Sequence, residues 1–298
     1  MTHLDTAPVT RPRRSYHRDR IIVTTIALLG VLVLLYPAAA SWVSELRERG
    51  TVNAYVERIE SIPTAERLEW FEKAEVYNGT LVNGLIVDPF SNTPDGQAAD
   101  LDEAALAYLD QLAFDDRGVM SRISIPEIDV ELPIFHGATD DTLRKGVGHL
   151  YGSSMPIGGP GTHPVLTGHS GLPESKLFND LFDLELGDTF EVNTLGRSMT
   201  YQVNHIDTVE PTDISSLGVV EGRDLVTLVT CTPIGINTHR LIVQAERIAD
   251  PVEDPSVSLR TAVSFPWWAL GVGGALLVWL FVVFRAIASR RSAATHAR

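Results

Sequence analysis

Two long uncharged stretches, one near each end of the chain, limit how this protein can fold. Residues 21–41 and 265–284 contain no Asp, Glu, Lys or Arg. A helix needs roughly 20 apolar residues to cross the hydrocarbon core of a bilayer. Trp267 and Trp268 stand at the outer end of the second stretch and Arg285 follows its inner end, as is typical of a spanning helix. We therefore predict two transmembrane helices, with the bulk of the chain between them.

Basic residues flank both stretches on the side of the chain ends. Residues 1–20 hold five arginines and two aspartates, and residues 285–298 hold four arginines. Positive charge favours the cytoplasmic side, so both short tails are expected there, with residues 42–264 outside a cell membrane. Residues 38–40 also resemble a signal-peptidase site. The length of the first stretch favours an uncleaved anchor over a signal peptide.

The charge and the cysteine content of the chain exclude several classes of function. The net charge is −14, and the exported part, with 15 basic and 36 acidic residues, carries −21. Such a surface argues against nucleic-acid binding. A single cysteine excludes a disulfide framework and cysteine-rich zinc or iron–sulfur sites. We expect no cofactor and no metal.

The exported part divides into a helical region and a β-rich region. Residues 42–116 follow a helical pattern, with a break at residues 61–64 and a Pro- and Gly-containing loop at 82–97. Short β-type segments separated by Gly, Pro and Asp fill residues 117–249. Their spacing predicts a mainly β domain, an antiparallel sandwich or a closed barrel. Residues 250–264 are expected to be a linker to the second membrane helix.

Cys231 is either a buried filler or a reactive thiol. It ends the apolar segment DLVTLVTC, and Arg240 begins the segment RLIVQAERI after an eight-residue loop. If these segments are neighbouring strands, the two residues lie on adjacent rows, and a guanidinium there can stabilise a thiolate or an oxyanion. A thiol nucleophile also needs a proton-transfer group, usually histidine. The exported candidates are His136, His149, His163, His169, His205 and His239. His169 ends a strand and suits a barrel rim, but spacing does not decide among them, and a zinc pair of His163 and His169 has an unusual spacing.

Residues 118–248 resemble the catalytic barrel of the sortases. The segment GVGHLYGSSMPIGGPGTHPVLTGHSGLP is similar to the family's strand ending in a catalytic histidine, and DLVTLVTCTPIGINTHR is similar to its TLxTC…R signature. Sortases are membrane-tethered cysteine transpeptidases of Gram-positive surfaces. The resemblance implies a closed sortase-type β-barrel with short helices, and a catalytic triad of His169, Cys231 and Arg240.

Two further features resemble class C, the pilin-polymerising branch. One is the second membrane helix, and the other is Asp88-Pro89-Phe90 in the loop 82–97. In that branch such a loop is a lid whose aspartate pairs with the arginine and whose aromatic ring covers the cysteine. Ile234 stands where the branch often has tyrosine, so we expect the packing of that loop to differ.

The resemblance implies a reaction and its partners. An LPxTG-like sorting signal on a pilin or other surface protein is cut between Thr and Gly, and the acyl group is joined to a pilin lysine. Three alternatives stay open: attachment of surface proteins to a cell-wall amine of peptidoglycan, a hydrolytic cysteine protease, and a non-catalytic membrane-tethered scaffold.

Overall fold

A computed structural model of the protein describes residues 15–81, 103–173, 175–248 and 265–295. The chain forms two compact units. The terminal unit comprises the two chain ends, up to Trp42 and from Ser264, and the central unit comprises Val43–Val263. Asp88, Pro89 and Phe90 of the expected lid lie outside the described residues.

The terminal unit is a pair of apolar helices. One member of the pair is the N-terminal part of helix α1 (Ser15–Ser61), up to Trp42, and the other is helix α5 (Trp267–Thr295). Both are long and apolar enough to cross a membrane. Near one end of the pair, Trp279 Nε1 donates to Thr25 Oγ1 at 2.9 Å, and near the other the rings of Trp42 and Trp268 lie 6.1 Å apart. Residue numbers rise along α1 as they fall along α5, so the two helices are antiparallel.

The central unit contains the rest of α1 and two further helices before the β-rich region. Helix α2 (Thr64–Thr80) follows the break at Pro63, as the sequence predicts, and α3 (Glu103–Leu109) comes next. Helix α2 ends at Thr80. The Asn78 side chain accepts a hydrogen bond from the Met155 amide at 2.7 Å, so a tertiary contact stabilises this last turn.

Eight strands form a closed barrel, which confirms the predicted fold class and decides against an open sandwich. The strands, in chain order, are β1 (Val119–Ile125), β2 (Val130–His136), β3 (Val147–His149), β4 (Val165–Thr167), β5 (Thr189–Thr194), β6 (Arg197–Val209), β7 (Leu225–Thr232) and β8 (His239–Arg247). Their order around the barrel is β1-β2-β3-β4-β7-β8-β6-β5. Closure leaves no unpaired sheet edge, so the barrel needs no partner to satisfy its main-chain hydrogen bonds. A four-residue helix, α4 (Asp140–Leu143), lies between β2 and β3.

Helix α1 is attached to the barrel by a buried tyrosine. Tyr55 is fully buried, and its hydroxyl accepts from the Leu195 amide at 3.0 Å and donates to the Asn193 carbonyl at 3.3 Å. A buried hydroxyl with both roles satisfied stabilises the contact, whereas an unpaired one would cost roughly 1–3 kcal/mol. The helix preceding the barrel is therefore part of the same core.

Candidate active site

Cys231 and Arg240 are direct neighbours across two strands. Strands β7 and β8 are antiparallel, and their register pairs Cys231 with Arg240 and Thr232 with His239. The predicted adjacency of Cys231 and Arg240 is therefore present. The loop between the strands comprises residues 233–238, two fewer than the sequence predicts, because Thr232 extends β7 and His239 extends β8. Both side chains of interest are largely buried, with Cys231 8% and Arg240 9% exposed. Arg240 thus lies opposite Cys231, the single cysteine of the chain, at a place to which water has little access.

His169 reaches the same row from the other side of β7. Strands β4 and β7 are parallel, with Thr167 opposite Val229. Two further residues on each strand bring His169 level with Cys231, because parallel strands advance together. The pairing continues past β4, since the Gly168 amide donates to the Val229 carbonyl at 3.1 Å. Cys231 and Arg240 therefore lie on one row of β7 and β8, and His169 lies two residues past the end of β4, level with that row.

Two hydroxyls hold the backbone around His169 against β7. Thr230 Oγ1 donates to the Gly168 carbonyl at 2.8 Å, and Ser170 Oγ donates to the Cys231 carbonyl at 2.6 Å. Both hydroxyl-bearing residues are buried, so these bonds form away from water. The sequence pattern did not single out Ser170; its only signal was its position directly after His169.

Gly168 is required by close packing beneath the candidate histidine. A Cβ atom at this position would lie 2.6 Å from the ring of Phe178, which is fully buried. The Phe178 amide donates to the His169 carbonyl at 3.1 Å. Phe178 therefore supports the turn that carries the imidazole, both by its ring and by its backbone.

A carboxylate lies beside the imidazole of His169. Asp140, at the start of α4, places Oδ1 3.4 Å from His169 Nε2. Its other oxygen accepts from Arg144 Nε at 2.8 Å. The hydrogen bond from Arg144 is the main cause that lowers the pKa of Asp140 below its usual value, with His169 as a smaller contributor. Asp140 was not predicted from the sequence, because nothing there shows that α4 lies next to the loop after β4.

The guanidinium of Arg240 is oriented by the loop that precedes it. Its Nη1 donates to the carbonyls of Asn237 and His239 at 3.3 and 3.2 Å. Asn237 has a φ of 59°, a left-handed conformation that asparagine tolerates better than most residues. The loop conformation therefore helps to fix the position of the positive charge opposite Cys231.

Known proteins share this arrangement of strands. A family model described as the sortase domain matches residues 123–248. The crystal structure of sortase C-1 from Actinomyces oris is 46% identical, with a TM-score of 0.59, and the match covers 62% of this chain and 99% of that one. This chain belongs to the sortase family. Sortases are cysteine transpeptidases, so the sortase resemblance and the enzyme class predicted from the sequence are confirmed.

Two further relatives agree with this assignment. Sortase C-1 from Streptococcus pneumoniae is 37% identical, with a TM-score of 0.61, and the match covers 68% of this chain and 100% of that one. Sortase A from Bacillus anthracis is 29% identical over 153 residues, which is 51% of this chain and 70% of the relative. The similarity to the class C structures extends beyond the barrel, because it covers more of the chain than the family model does.

Three other histidines of the sortase make structural contacts. His136 Nε2 donates to the Gln111 carbonyl at 2.7 Å, and His149 Nε2 donates to the Ser154 carbonyl at 2.7 Å. His163 bonds the Gly218 carbonyl through Nδ1 at 2.7 Å. Burial lowers the pKa of all three, that of His149 to about 4. His149 and His163 are fully buried and His136 is partly buried, and their hydrogen bonds stabilise the structure around the barrel.

No metal centre is formed by the part of the sortase that the structure describes. Within the described ranges, no group of three or more His, Cys, Asp or Glu side chains could hold a metal ion. His163 is committed to hydrogen bonds, since its Nε2 also lies 2.7 Å from Thr227 Oγ1. The zinc pair of His163 and His169 considered from the sequence therefore has no structural support.

Proposed function

We propose that this sortase cuts an LPxTG-like sorting signal between Thr and Gly and transfers the acyl group to a lysine of a pilin subunit. The observation that supports it is the pairing of Cys231 with Arg240 across β7 and β8, with His169 just past the end of β4 and level with that row. The row combines a nucleophile, a proton-transfer group and a fixed cation, which are the parts that acyl transfer through a thioester needs.

In the first step, Cys231 is the nucleophile. Its Sγ attacks the carbonyl carbon of the threonine, and the carbonyl oxygen becomes an oxyanion. Arg240 donates hydrogen bonds to that oxyanion, and removal of one such donor typically costs about 3 kcal/mol of transition-state stabilisation. His169 gives a proton to the glycine nitrogen as the C–N bond breaks. The products are a thioester on Cys231 and a free amine on the departing segment.

In the second step, an incoming amine resolves the thioester. The lysine nitrogen attacks the thioester carbon, His169 accepts the proton that the amine loses, and Sγ leaves as a thiolate. The product is an isopeptide bond, and the enzyme returns to its starting state. The low exposure of Cys231 favours this outcome over hydrolysis, because water has limited access to the thioester.

The choice of a pilin as substrate is supported by the nature of the relatives. The Group B Streptococcus relative, 37% identical with a TM-score of 0.58, is described as a pilus-related sortase C. A Streptococcus pneumoniae sortase C, 36% identical with a TM-score of 0.61, is described with pilin substrate specificity. These descriptions belong to those proteins, and we extend them to this chain as part of the proposal.

We further propose that residues 82–97 form a lid over the active site. In this proposal, Asp88 pairs with Arg240, Pro89 shapes the turn and Phe90 covers Cys231. A sortase A from Corynebacterium diphtheriae whose structure is described as a lid mutant is 40% identical, with a TM-score of 0.59. A carboxylate and a ring in these places would neutralise the cation and shield the thiolate until a substrate displaces them.

The proposed location is a cell membrane, with the catalytic domain outside and both termini in the cytoplasm. It is supported by the antiparallel packing of α1 and α5, which places the start of α1 and the end of α5 at the same end of the helix pair. The arginines beyond both apolar stretches favour the cytoplasm for that end. A green fluorescent protein fused to either terminus should therefore fluoresce and resist external protease, whereas degradation of one fusion would contradict this topology.

Intact mass of the full chain in detergent, mixed with an LPxTG peptide, tests the chemistry. A mass gain equal to the acyl fragment is expected, and it should be absent from Cys231→Ala. Addition of a lysine-bearing pilin peptide should discharge the adduct into a branched product. Discharge by a peptidoglycan-type amine alone would favour the wall-anchoring alternative, and hydrolysis that is independent of added amine would favour a protease.

The same assay tests the lid. An Asp88→Ala, Phe90→Ala variant should form the adduct faster than the native chain, because the thiol and Arg240 would no longer be covered. An Asp95→Ala, Leu85→Ala variant alters the same segment outside the tripeptide and serves as the matched control. Equal rates in all three proteins would argue against the proposed lid while leaving the transpeptidation intact.

A further inference from the structure

A cavity in the central unit is lined by an unusual share of basic side chains. Its volume is about 380 Å³, and four of its eight lining residues are Arg47, Arg117, Arg144 and Lys145. Pockets of roughly 300–1,000 Å³ are of the size that takes small ligands. These residues come from α1, from the segment before β1 and from the end of α4, so the tertiary structure gathers charges that are far apart in the sequence.

This concentration of positive charge contrasts with the rest of the exported part. That part has 15 basic residues against 36 acidic ones, and four of the 15 line one cavity. A cleft lined by one sign of charge raises the local concentration of ions of the opposite sign. The cavity is therefore a local anion attractor on an acidic protein.

Two of the four cations have no counter-ion among the residues that the structure describes. Arg144 pairs with Asp140 at 2.8 Å and Arg117 pairs with Asp115 at 3.8 Å. Arg47 and Lys145 are exposed, and among the residues that the structure describes neither has an ion-pair partner. Like charges around one cavity repel each other, and more strongly where water is scarce. An anion between them would remove that cost.

The one acidic residue that lines the cavity does not pair with these cations. Glu48 is buried, and its Oε1 accepts hydrogen bonds from Ser44 Oγ at 2.8 Å and from Ser175 Oγ at 2.7 Å. Burial is the main cause that raises the pKa of Glu48. Even with Glu48 ionised and with Asp115 and Asp140 counted as the partners of Arg117 and Arg144, one positive charge remains in excess around the cavity.

We propose that this cavity binds the phosphate group of a small anion through Arg47 and Lys145, with Arg117 and Arg144 at its sides. A guanidinium group can donate two parallel hydrogen bonds to two oxygens of one phosphate, and a lysine ammonium adds a compact positive charge. The location favours phosphate over other anions. Arg47 comes six residues after Ser41, the last residue of the first uncharged stretch. Anionic lipid headgroups, whose charge is carried by phosphate, border such an apolar span.

Two sources of phosphate share this chemistry, the headgroup of an anionic lipid and a soluble phosphate ester. The inference goes beyond the proposed transpeptidation, and only its lipid arm depends on the proposed membrane anchoring. Binding is measured without peptide or amine, so a failed transpeptidase assay and a failed binding assay are distinguishable.

The experiment uses the full chain in a neutral detergent. In one arm, glycerol 3-phosphate is added in increasing concentration and the midpoint of thermal unfolding is measured. Sodium chloride at the same ionic strength is the control for this arm. In the other, micelles are doped with phosphatidylglycerol or, for comparison, with phosphatidylcholine. We expect a saturable rise of the midpoint in at least one arm, and the arm that responds identifies the source. Arg47→Gln, Lys145→Gln should need at least a tenfold higher ligand concentration for half-saturation.

The matched control is Lys73→Gln, Arg223→Gln, which removes the same charge at sites that do not line the cavity. It should respond as the native chain does. No rise beyond sodium chloride and phosphatidylcholine in either arm, or an equal response of the native chain and the cavity variant, would overturn the proposal. Should the double variant fail to unfold cooperatively, Arg47→Gln and Lys145→Gln are tested singly, each with an expected threefold or greater weakening.

Discussion

The hydroxyl of Ser170 donates a 2.6 Å hydrogen bond to the main-chain carbonyl of Cys231, in the buried layer behind the candidate active site. This bond joins the loop that begins at His169 to the strand that carries the thiol. The two segments are 61 residues apart in the sequence, so the bond fixes a long-range relationship between two proposed catalytic residues.

Ser170→Ala should lower the turnover number of transpeptidation about tenfold. The lost hydrogen bond is worth roughly 1 kcal/mol, and a further penalty arises because a buried carbonyl loses its donor. The His169 backbone would then be held less firmly beside Cys231. Steady-state kinetics with an LPxTG peptide measures the effect, with Ser215→Ala on an exposed turn as control. An unchanged turnover number in Ser170→Ala would contradict a positioning role.

Arg240→Lys should slow formation of the thioester by about 100-fold although the charge is retained. A lysine has no planar fork, so it cannot keep the hydrogen bonds to the loop carbonyls and also donate to an oxyanion. Single-turnover measurement of the adduct by mass spectrometry gives the rate. Arg247→Lys, on the same strand, is the matched control and should react normally. A variant at position 240 that keeps half of the native rate would show that charge alone suffices.

Gly168→Ala should destabilise the central unit by roughly 1–3 kcal/mol, as overpacking in a filled core does. The new methyl group would collide with the buried ring of Phe178, from which it would be only 2.6 Å away. Chemical denaturation followed by near-ultraviolet circular dichroism measures the change. Gly218→Ala is the control, because no atom lies within 4 Å of the added carbon. Equal stability of the two variants would mean that the ring moves aside at no cost.

Acid should destabilise the fold through His149. Burial lowers the pKa of His149 from 6.5 to about 4, so the folded state favours the neutral imidazole. This stabilisation is complete above pH 6.5 and is lost as the pH falls towards 4, to an extent of roughly 3 kcal/mol. Thermal unfolding at pH values from 7 to 4 should therefore show a steeper fall in the native chain than in His149→Gln.

The difference in pH dependence between the native chain and His149→Gln reports on His149 alone. Other groups change the stability in the opposite direction with pH, but they are present in both proteins. Glu48 is one such group, because burial raises its pKa and its stabilisation is lost as the pH rises. His205→Gln, at an exposed position of β6, should keep the native pH dependence. Parallel pH profiles for the native chain and His149→Gln would show that His149 does not control the acid response.

Local sequence patterns predicted most of the elements. The break at Pro63 and the short strands follow from residue types close in the chain, and the adjacency of Cys231 and Arg240 follows from two strands joined by a short loop. The selection of His169 among six exported histidines came from the resemblance to sortases, because spacing left the choice open. In the structure, β4 and β7, 60 residues apart, pair in parallel, and His169 follows the end of β4 at the level of Cys231.

The sequence by itself determined the two apolar spans, the acidic exported part, the β-rich domain and the single thiol with its neighbouring arginine. Only the tertiary structure decided that the sheet closes into a barrel, that Ser170 and Asp140 lie beside the proposed triad, and that Arg47 and Lys145 line one cavity. The physical reason is the range of the interactions. Helical and strand patterns depend on neighbouring residues, whereas strand order and converging side chains depend on pairing between distant segments, which no local pattern encodes.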